Sequence, residues 1–179
     1  MFEKPIIKTN RLCIRPFKFS DLDTMHEYAS DIENSKYMVY LPNRDIKETE
    51  QFLQRVVIEW ESDFPRFFEF AVEHNGKHIG AVSIYLSENR QEGELGWIIN
   101  KKYHNLGYAT EAAKAILYFA ISNLGVKKVV AHCDYRNKSS CRVMQKIGLL
   151  FERDDGIRRY IDNRDNDEAI KDIMYALIV

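Results

Sequence analysis

The sequence lacks a strong excess of charge of either sign, since 26 lysines and arginines are balanced by 27 aspartates and glutamates and leave a formal net charge of -1. This balance gives no electrostatic reason to expect binding to nucleic acid or to an anionic membrane. No apolar run approaches the roughly 18 residues that a membrane-spanning helix needs. The N-terminal stretch MFEKPIIKTNRL also lacks the apolar core of a signal peptide. We therefore expect neither a membrane span nor an exported protein.

Cysteine is also scarce, because the chain contains only Cys13, Cys133 and Cys141. Their number is odd, no CxxC pair occurs, and a chain of this length does not need cross-links to form a core. The scattered histidines, aspartates and cysteines show no metal-ligand spacing, so we expect no bound metal. We interpret the cysteines as reduced thiols in a cytoplasmic protein.

No internal repeat, low-complexity segment or flexible linker interrupts the sequence, so we predict one domain that spans residues 1–179. Short apolar or alternating runs separated by turn residues indicate strands. The Asn75-Gly76 pair between two such runs predicts a hairpin, because both residues accept positive φ angles. The predicted strands are TNRLCIRPF, FFEFAVEH, HIGAVSIYL, EGELGWIIN, KKVVAHC, LFERD, RRYI and DIMYALIV.

Apolar residues at helical spacing predict helices over residues 21–28, 49–60, 109–124 and 139–147. A glycine follows each of the last two and is a typical helix stop. Residues 30–45 have little periodicity and are predicted to form a loop or a broken helix. The order of these elements predicts an α+β fold with a mixed sheet and a central β–helix–β unit.

The stretch HNLGYA, residues 104–109, places a glycine directly ahead of an apolar helix. The first N–H groups of a helix have no partner in the helix and carry the positive end of its dipole. A glycine ahead of them permits close approach of a ligand, so Gly107 and the following amides suit an anion such as phosphate. Lys101 and Lys102 lie just upstream and would add positive charge. A single glycine turn is a weak signal, and Gly107 could equally end a loop.

Signatures of other nucleotide sites are missing, since the chain has neither GxxxxGK[ST] nor GxGxxG after its first strand. Instead, HNLGYA resembles the Q/R-x-x-G-x-G/A pyrophosphate loop of the GNAT acyl-CoA N-acyltransferases, and TEAAKAIL resembles the helix that continues it. NKSSCRVMQKIGL is similar to N-x-A-S-x-R-V-L-E-K-x-G-F, and TNRLCIRP to T-E-R-L-x-L-R-P, of the branch that includes the ribosomal-protein N-terminal acetyltransferases. The chain departs from these patterns at His104, Asn105 and Leu149, where Gln or Arg, Gly and Phe are usual.

The resemblance implies a GNAT-type mixed, mostly antiparallel sheet with a splayed central pair of parallel strands and flanking helices. It also implies acetyl-CoA as the cofactor, bound between strands formed by residues 94–100 and 128–134. Backbone groups near Trp97 would pair with the pantetheine arm, and amides of residues 105–110 would hold the diphosphate. The residues that the resemblance assigns to the cofactor are Trp97, Ile98, Ile99, His104, Asn105, Leu106, Gly107, Tyr108, Ala109, Thr110, Asn137 and Ser140.

Glu94 is the candidate catalytic base, because it lies on the strand face opposite Leu95 and Trp97 and many GNAT enzymes carry a glutamate on this strand. The alternative is a solvated carboxylate paired with a lysine, and Glu92 is a weaker candidate for the base. A cysteine nucleophile is disfavoured, because no histidine is placed beside Cys141 by the sequence.

Ser140 matches a family serine near the thioester sulfur, and Asn137 matches an asparagine that binds the pantetheine region. Many relatives have a tyrosine acid where this chain has Met144, and methionine cannot donate a proton. We therefore hypothesise that Ser140, or a water that it holds, assists the departing sulfur. Asn137 and Ser139 could instead simply cap a helix, and the two roles are compatible.

The resemblance thus implies an acetyl-CoA-dependent N-acetyltransferase whose primary amine acceptor, a protein N-terminus or a small amine, attacks directly. The alternatives are a catalytically weak CoA-binding sensor or interaction module, and a nucleotide-binding structural domain. Two segments would contact the acceptor or be ordinary surface and packing: the aromatic run at residues 37–40 and the charged run with Arg158, Arg159 and Arg164. The sequence leaves open whether the protein is a homodimer.

Overall fold

The computed structural model of the protein describes residues 4–38, 42–158 and 170–179. Eight strands form one sheet in the order β1-β2-β3-β4-β5-β6-β8-β7. The strands are β1 (Ile7–Lys8), β2 (Leu12–Pro16), β3 (Phe67–His74), β4 (Lys77–Leu86), β5 (Glu92–Ile99), β6 (Lys128–Asp134), β7 (Leu150–Arg158) and β8 (Ile170–Ile178). The helices are α1 (Leu22–Ala29), α2 (Ile46–Trp60), α3 (Tyr108–Ser122) and α4 (Lys138–Ile147).

The sheet is antiparallel except between β5 and β6, which are parallel and are joined by α3. Their pairing is short: it begins at Glu92 with Lys128 and ends at Glu94 with Val130. Among the described residues the two strands make no further pair, so they diverge toward their carboxyl ends. This arrangement confirms the predicted fold class, including the splayed parallel pair at its centre.

The turn between β3 and β4 follows directly from its sequence. Asn75 and Gly76 have φ angles of 49° and 72°, so both adopt the left-handed conformation that a two-residue type I′ hairpin requires. β3 and β4 pair on either side of this turn, with His74 opposite Lys77. The hairpin that the Asn-Gly pair predicted is therefore confirmed.

The main core lies between α3 and one face of the sheet. Small residues on the buried face of α3, including Ala112, Ala113 and Ala120, allow the helix to lie close to the strands. Phe119 of α3 packs edge-to-face on Phe68 and Phe70 of β3, with ring centroids 5.7 and 5.6 Å apart. Because side chains alternate along a strand, the residue between these two phenylalanines points to the opposite face of the sheet.

The structure differs from the predicted elements mainly at their ends. Strand β1 was not predicted, since two residues are too few to show an alternating pattern. Helix α2 begins at Ile46, earlier than predicted, because the Asp45 side chain accepts hydrogen bonds from the amides of Lys47 and Glu48 and caps it. The predicted strand RRYI reaches into the described residues only at Arg158. No helix in the described part of the chain has the length and apolar composition needed to cross a membrane.

Candidate active site

A cleft opens in the centre of the sheet where β5 and β6 separate. On one side β5 pairs with β4 along its length as far as Ile99, and on the other it pairs with β6 only as far as Glu94. Beyond Glu94, no strand in the described ranges pairs with the edge of β5 that faces β6. A cavity of about 760 Å³ adjoins this edge. The predicted site residues that line it are Glu94, Trp97, Ile98, Asn137 and Ser140.

The loop after β5 turns the chain sharply into α3. Gly107 precedes the helix with a φ angle of 82°, and Asn105, where a second glycine is common in the resembling family, also has a positive φ angle of 61°. Asparagine tolerates this conformation better than other side chains do. By helix geometry, the first amides of α3 have no acceptor within their own helix. The exposed turn therefore presents N–H donors and a positive dipole end, as an anion site requires.

Arg11, which precedes β2 in the sequence, contacts both this loop and the first turn of α3. Its Nη1 donates to the carbonyl oxygen of Leu106 at 2.9 Å, and its Nε donates to Glu111 Oε2 at 2.7 Å. The guanidinium also lies 4.6 Å from the ring centroid of Tyr108. Arg11 lies within the motif TNRLCIRP, but no local pattern marks it as a residue that contacts the loop.

The two lysines just before the loop form ion pairs with acidic residues. Lys101 forms an ion pair with Asp31, and Lys102 pairs with Glu27 at 2.9 Å. The imidazole Nε2 of His104 lies 2.8 Å from the carbonyl oxygen of Ile99 and therefore donates to it. The His104 side chain thus connects the loop to the end of β5.

Glu94 lies at the point where β5 and β6 separate, and it belongs to a chain of hydrogen bonds that sequence analysis missed. His132 of β6 places Nδ1 3.1 Å from Glu94 Oε1 and Nε2 2.8 Å from Asp155 Oδ2. Hydrogen bonds and charge from Arg153 hold the pKa of Asp155 below its ordinary value against a small opposing effect of burial, and His132 contributes to this lowering. Only the fully protonated imidazole can donate from both ring nitrogens to two carboxylates.

The start of α4 forms the other side of the cleft. The Asn137 side chain caps the helix by accepting a hydrogen bond from the Ser140 amide at 3.1 Å, and both residues line the cavity. Met144 is fully buried and is not among the described residues that line the cavity, and its thioether cannot donate a proton. Cys133 and Cys141 are free thiols whose sulfur atoms are 3.6 Å apart, and burial raises the pKa of Cys133, which disfavours a thiolate nucleophile.

The comparisons with known proteins agree with this geometry. Residues 11–150 match the family model for the acetyltransferase (GNAT) domain. The chain belongs to the GNAT acetyltransferase family. It is 35% identical over 146 residues to the uncharacterized N-acetyltransferase YnaD of Bacillus subtilis (strain 168). The aligned residues cover 82% of this chain and 83% of YnaD. The predicted family and acyltransferase class are thereby confirmed.

Solved structures of GNAT acetyltransferases share the fold. A GNAT-family acetyltransferase from Bacillus anthracis has 30% sequence identity and a TM-score of 0.78, covering 97% of this chain and 98% of that one. A putative ribosomal-protein-serine acetyltransferase from Vibrio cholerae has 22% identity and a TM-score of 0.78 over 100% of both chains. At that lower identity the likeness shows the fold alone.

This GNAT acetyltransferase has a buried carboxyl group in its cavity that the sequence did not reveal. Glu69 of β3 is 8% exposed and lines the same cavity as Glu94. Burial raises the pKa of Glu69 to about 7, although hydrogen bonds from Tyr85 and Ser83 lower it in part. The Tyr85 hydroxyl donates to Glu69 Oε1 at 2.7 Å. Glu69 occupies an alternating strand pattern like many others, and no local signal marks it as different.

A possible ligand set for a cation also lies beside the cleft of the GNAT acetyltransferase. Ligand atoms of His132, Asp155 and Asp172 lie within 4.8 Å of one another. Sequence spacing did not indicate this group, because its members come from three strands. Of the segments proposed to contact an acceptor, Tyr37 and Met38 line the cavity, whereas residues 39–40, Arg159 and Arg164 lie outside the described residues.

Proposed function

We propose that this GNAT acetyltransferase binds acetyl-CoA and transfers the acetyl group to a primary amine by direct attack. The proposal rests on two structural features that follow one another directly along the chain. The edge of β5 that lacks a partner strand among the described residues runs to Ile99, and the glycine turn into α3 follows within a few residues. An extended amide-containing arm and the diphosphate attached to it would therefore meet matching groups in the right order.

Backbone groups would supply most of the binding to the donor. The free edge of β5, around Trp97, Ile98 and Ile99, would pair with the pantetheine amides as an added strand does. The amides from Asn105 to Thr110 would hold the diphosphate, aided by the dipole of α3. Asn137, which caps α4 at the edge of the cavity, would contact the pantetheine region.

Glu94 would accept the proton of the attacking amine, directly or through a water, and His132 would hold its carboxylate in place. An amine with a pKa of about 10.4 is mostly protonated at neutral pH, so releasing its proton is uphill by roughly 4–5 kcal/mol. A protein α-amino group with a pKa near 8 requires only about 1–1.4 kcal/mol. A small alkylamine would thus depend more on this base than a protein N-terminus would.

Different elements of the fold would stabilise the acetyl carbonyl oxygen and protonate the leaving sulfur. N–H groups of the free β5 edge would stabilise the negative charge that develops on the carbonyl oxygen. Ser140 at the start of α4, or a water that it holds, would supply the proton to the departing sulfur, since Met144 is buried and cannot donate. The three free thiols are consistent with the proposed location of the enzyme in the reducing cytoplasm.

The test is release of CoA thiol from acetyl-CoA in the presence of a panel of primary amines and N-terminal peptides. We expect amine-dependent release, and we expect Glu94→Gln to lower kcat/KM by about a hundredfold at pH 6.5, where free amine is scarce. The loss should shrink toward pH 9, because more of the amine is then already neutral. Glu92→Gln is the matched comparison on the same strand and should change the rate little.

Three outcomes would contradict the proposal in different ways. Tight binding of CoA with no thiol release from any amine would favour the sensor or interaction module. ATP or NAD binding at least as tight as that of CoA would favour a nucleotide-binding structural domain. A loss in Glu92→Gln but not in Glu94→Gln, or a loss that is constant across pH, would remove Glu94 from the role of base.

A further inference from the structure

A row of polar groups crosses the face of the sheet that lines the cavity. Glu69 of β3 lies opposite Ser83 of β4, and Ser83 lies opposite Gly96 of β5. A Cβ atom on Gly96 would come within 2.7 Å of Ser83 Oγ, so this hydroxyl lies directly over the glycine. Neighbouring strands are about 4.8 Å apart, which places the backbone of Glu69 roughly 10 Å from that of Gly96. Two strand spacings therefore separate Glu69 from β5, whereas Glu94, the proposed base, lies on β5 itself.

A buried hydroxyl beside Glu69 is unsatisfied within the protein. Tyr28 of α1 is 3% exposed and lines the cavity, yet its hydroxyl has no hydrogen-bond partner among the residues that the structure describes. Burial and the nearby charge of Glu69 both raise the pKa of Tyr28. Buried polar groups in native proteins are normally hydrogen-bonded, so this hydroxyl in the cavity wall is available to a water or to a ligand.

The surroundings of these two groups favour a cationic ligand. Three carboxylates, Glu48, Glu69 and Glu94, line the cavity, whereas Arg55 is its only arginine or lysine among the described residues. The rings of Phe67 and Tyr85 stack beside Glu69 with centroids 4.9 Å apart and add an aromatic wall. Carboxylates and aromatic rings together bind ammonium groups well in a desolvated site.

We propose that Glu69 and Tyr28 form a subsite for a second, non-reacting ammonium group of the acceptor, so that the enzyme prefers small diamines to monoamines. The inference rests on the proposed function, because the reacting amine is placed at the edge of β5. Glu69 would accept a charge-assisted hydrogen bond from the second ammonium group, and the Tyr28 hydroxyl oxygen would accept another. The buried position of both residues favours a small molecule over a folded protein as the acceptor.

The test compares diaminobutane with butylamine, which has the same carbon chain and lacks the second amino group. We expect wild type to show the higher kcat/KM for diaminobutane. Glu69→Gln should lower this value by about tenfold or more, because a hydrogen bond to a charged group is lost, and it should leave butylamine and the KM for acetyl-CoA nearly unchanged. Tyr28→Phe should produce a smaller loss in the same direction, and Glu50→Gln, on the exposed side of α2, should produce none.

Equal use of the two amines by wild type would overturn the subsite. An equal loss for both amines in Glu69→Gln would also overturn it and would assign Glu69 to proton transfer instead. If no amine were acetylated, the proposed function would fail, but binding could still be measured by thermal shift. The subsite then requires diaminobutane to raise the melting temperature of wild type more than butylamine does, and Glu69→Gln to abolish the difference.

Discussion

At the scale of single residues, the buried carboxyl group of Glu69 destabilises the folded protein at high pH. A buried carboxyl group resists ionisation, and burial accordingly raises the pKa of Glu69 to about 7. Its hydrogen bonds to Tyr85 and Ser83 offset only part of this effect. Groups with strongly perturbed pKa values in a cavity are typical of functional sites, where stability is lower than the fold would allow.

The pKa of Glu69 predicts how its removal changes stability with pH. The pKa is raised from its ordinary value of 4.5, so the folded state holds a proton that the unfolded state releases, and stability falls as pH rises between these values. Glu69→Gln should therefore raise the free energy of unfolding by about 3 kcal/mol at pH 8 and hardly at pH 4. Denaturant unfolding at pH 4 and pH 8 measures this difference in the free energy of unfolding.

Other titratable groups also line the cavity and share the environment of Glu69. They are Tyr28, Tyr37, Glu48, Arg55, Tyr85, Glu94, His132 and Cys133.

Glu50→Gln is the matched control for this experiment, because Glu50 is exposed on the same helix that contributes Glu48 to the cavity. It should change the free energy of unfolding little at either pH. A stabilisation by Glu69→Gln that is equal at pH 4 and pH 8 would show that the carboxyl is not held neutral by burial.

Which site residues the sequence could reveal depends on whether a local pattern marks them. Glu94 and Gly107 lie in motifs that resemble known ones, and a reader of the sequence can find them. Glu69, Tyr28 and His132 come from different elements, and only the lateral order of the strands brings them to one cavity. A strand pattern reports which face a residue occupies but not what lies across that face, so these three could not be predicted.

At the scale of secondary-structure elements, the proposed donor site lies at the junction between β5 and α3. Both ends of α3 use a glycine with positive φ, Gly107 at 82° before the helix and Gly125 at 71° after it. The glycine after the helix was predicted as a stop signal, and the one before it as an anion site. Helix α3 runs from Tyr108 to Ser122 with Asn123 as its C-cap, whereas the sequence predicted residues 109–124.

These two glycines provide a matched pair of variants. Gly107→Val should raise the KM for acetyl-CoA by about tenfold or more, because a branched side chain would block approach of the diphosphate to the amides. Gly125→Val imposes similar backbone strain, and a Cβ there meets no atom within 4 Å, so it should lower stability without changing this KM. Steady-state kinetics with varied acetyl-CoA separate the two effects. Similar KM values in both variants would remove the loop from donor binding.

At the scale of the whole molecule, a long-range ion pair connects the start of β2 to the first turn of α3. Arg11 and Glu111 are 100 positions apart and form an ion pair at 2.7 Å between the start of β2 and the first turn of α3. The Arg11 amide also donates to Glu111 Oε1 at 2.9 Å. Sequence periodicity predicted both elements and could not predict this connection, since it depends on how β2 and α3 meet in space.

The pair should therefore couple donor binding to the packing of β2 on α3. Arg11→Gln and Glu111→Gln should each weaken acetyl-CoA binding several-fold, because each releases the loop whose Leu106 carbonyl Arg11 holds. In the double variant the losses should be less than additive, with a coupling energy of about 1 kcal/mol for this partly exposed pair. Calorimetric titration of the four proteins with acetyl-CoA measures the cycle. Arg66→Gln is the control, because the Arg66 side chain is exposed and its ion pair with Glu59 is long, at 3.8 Å. Strictly additive losses would mean that Arg11 and Glu111 act on the loop independently, and the ion pair between them would then have no share in organising the proposed donor site.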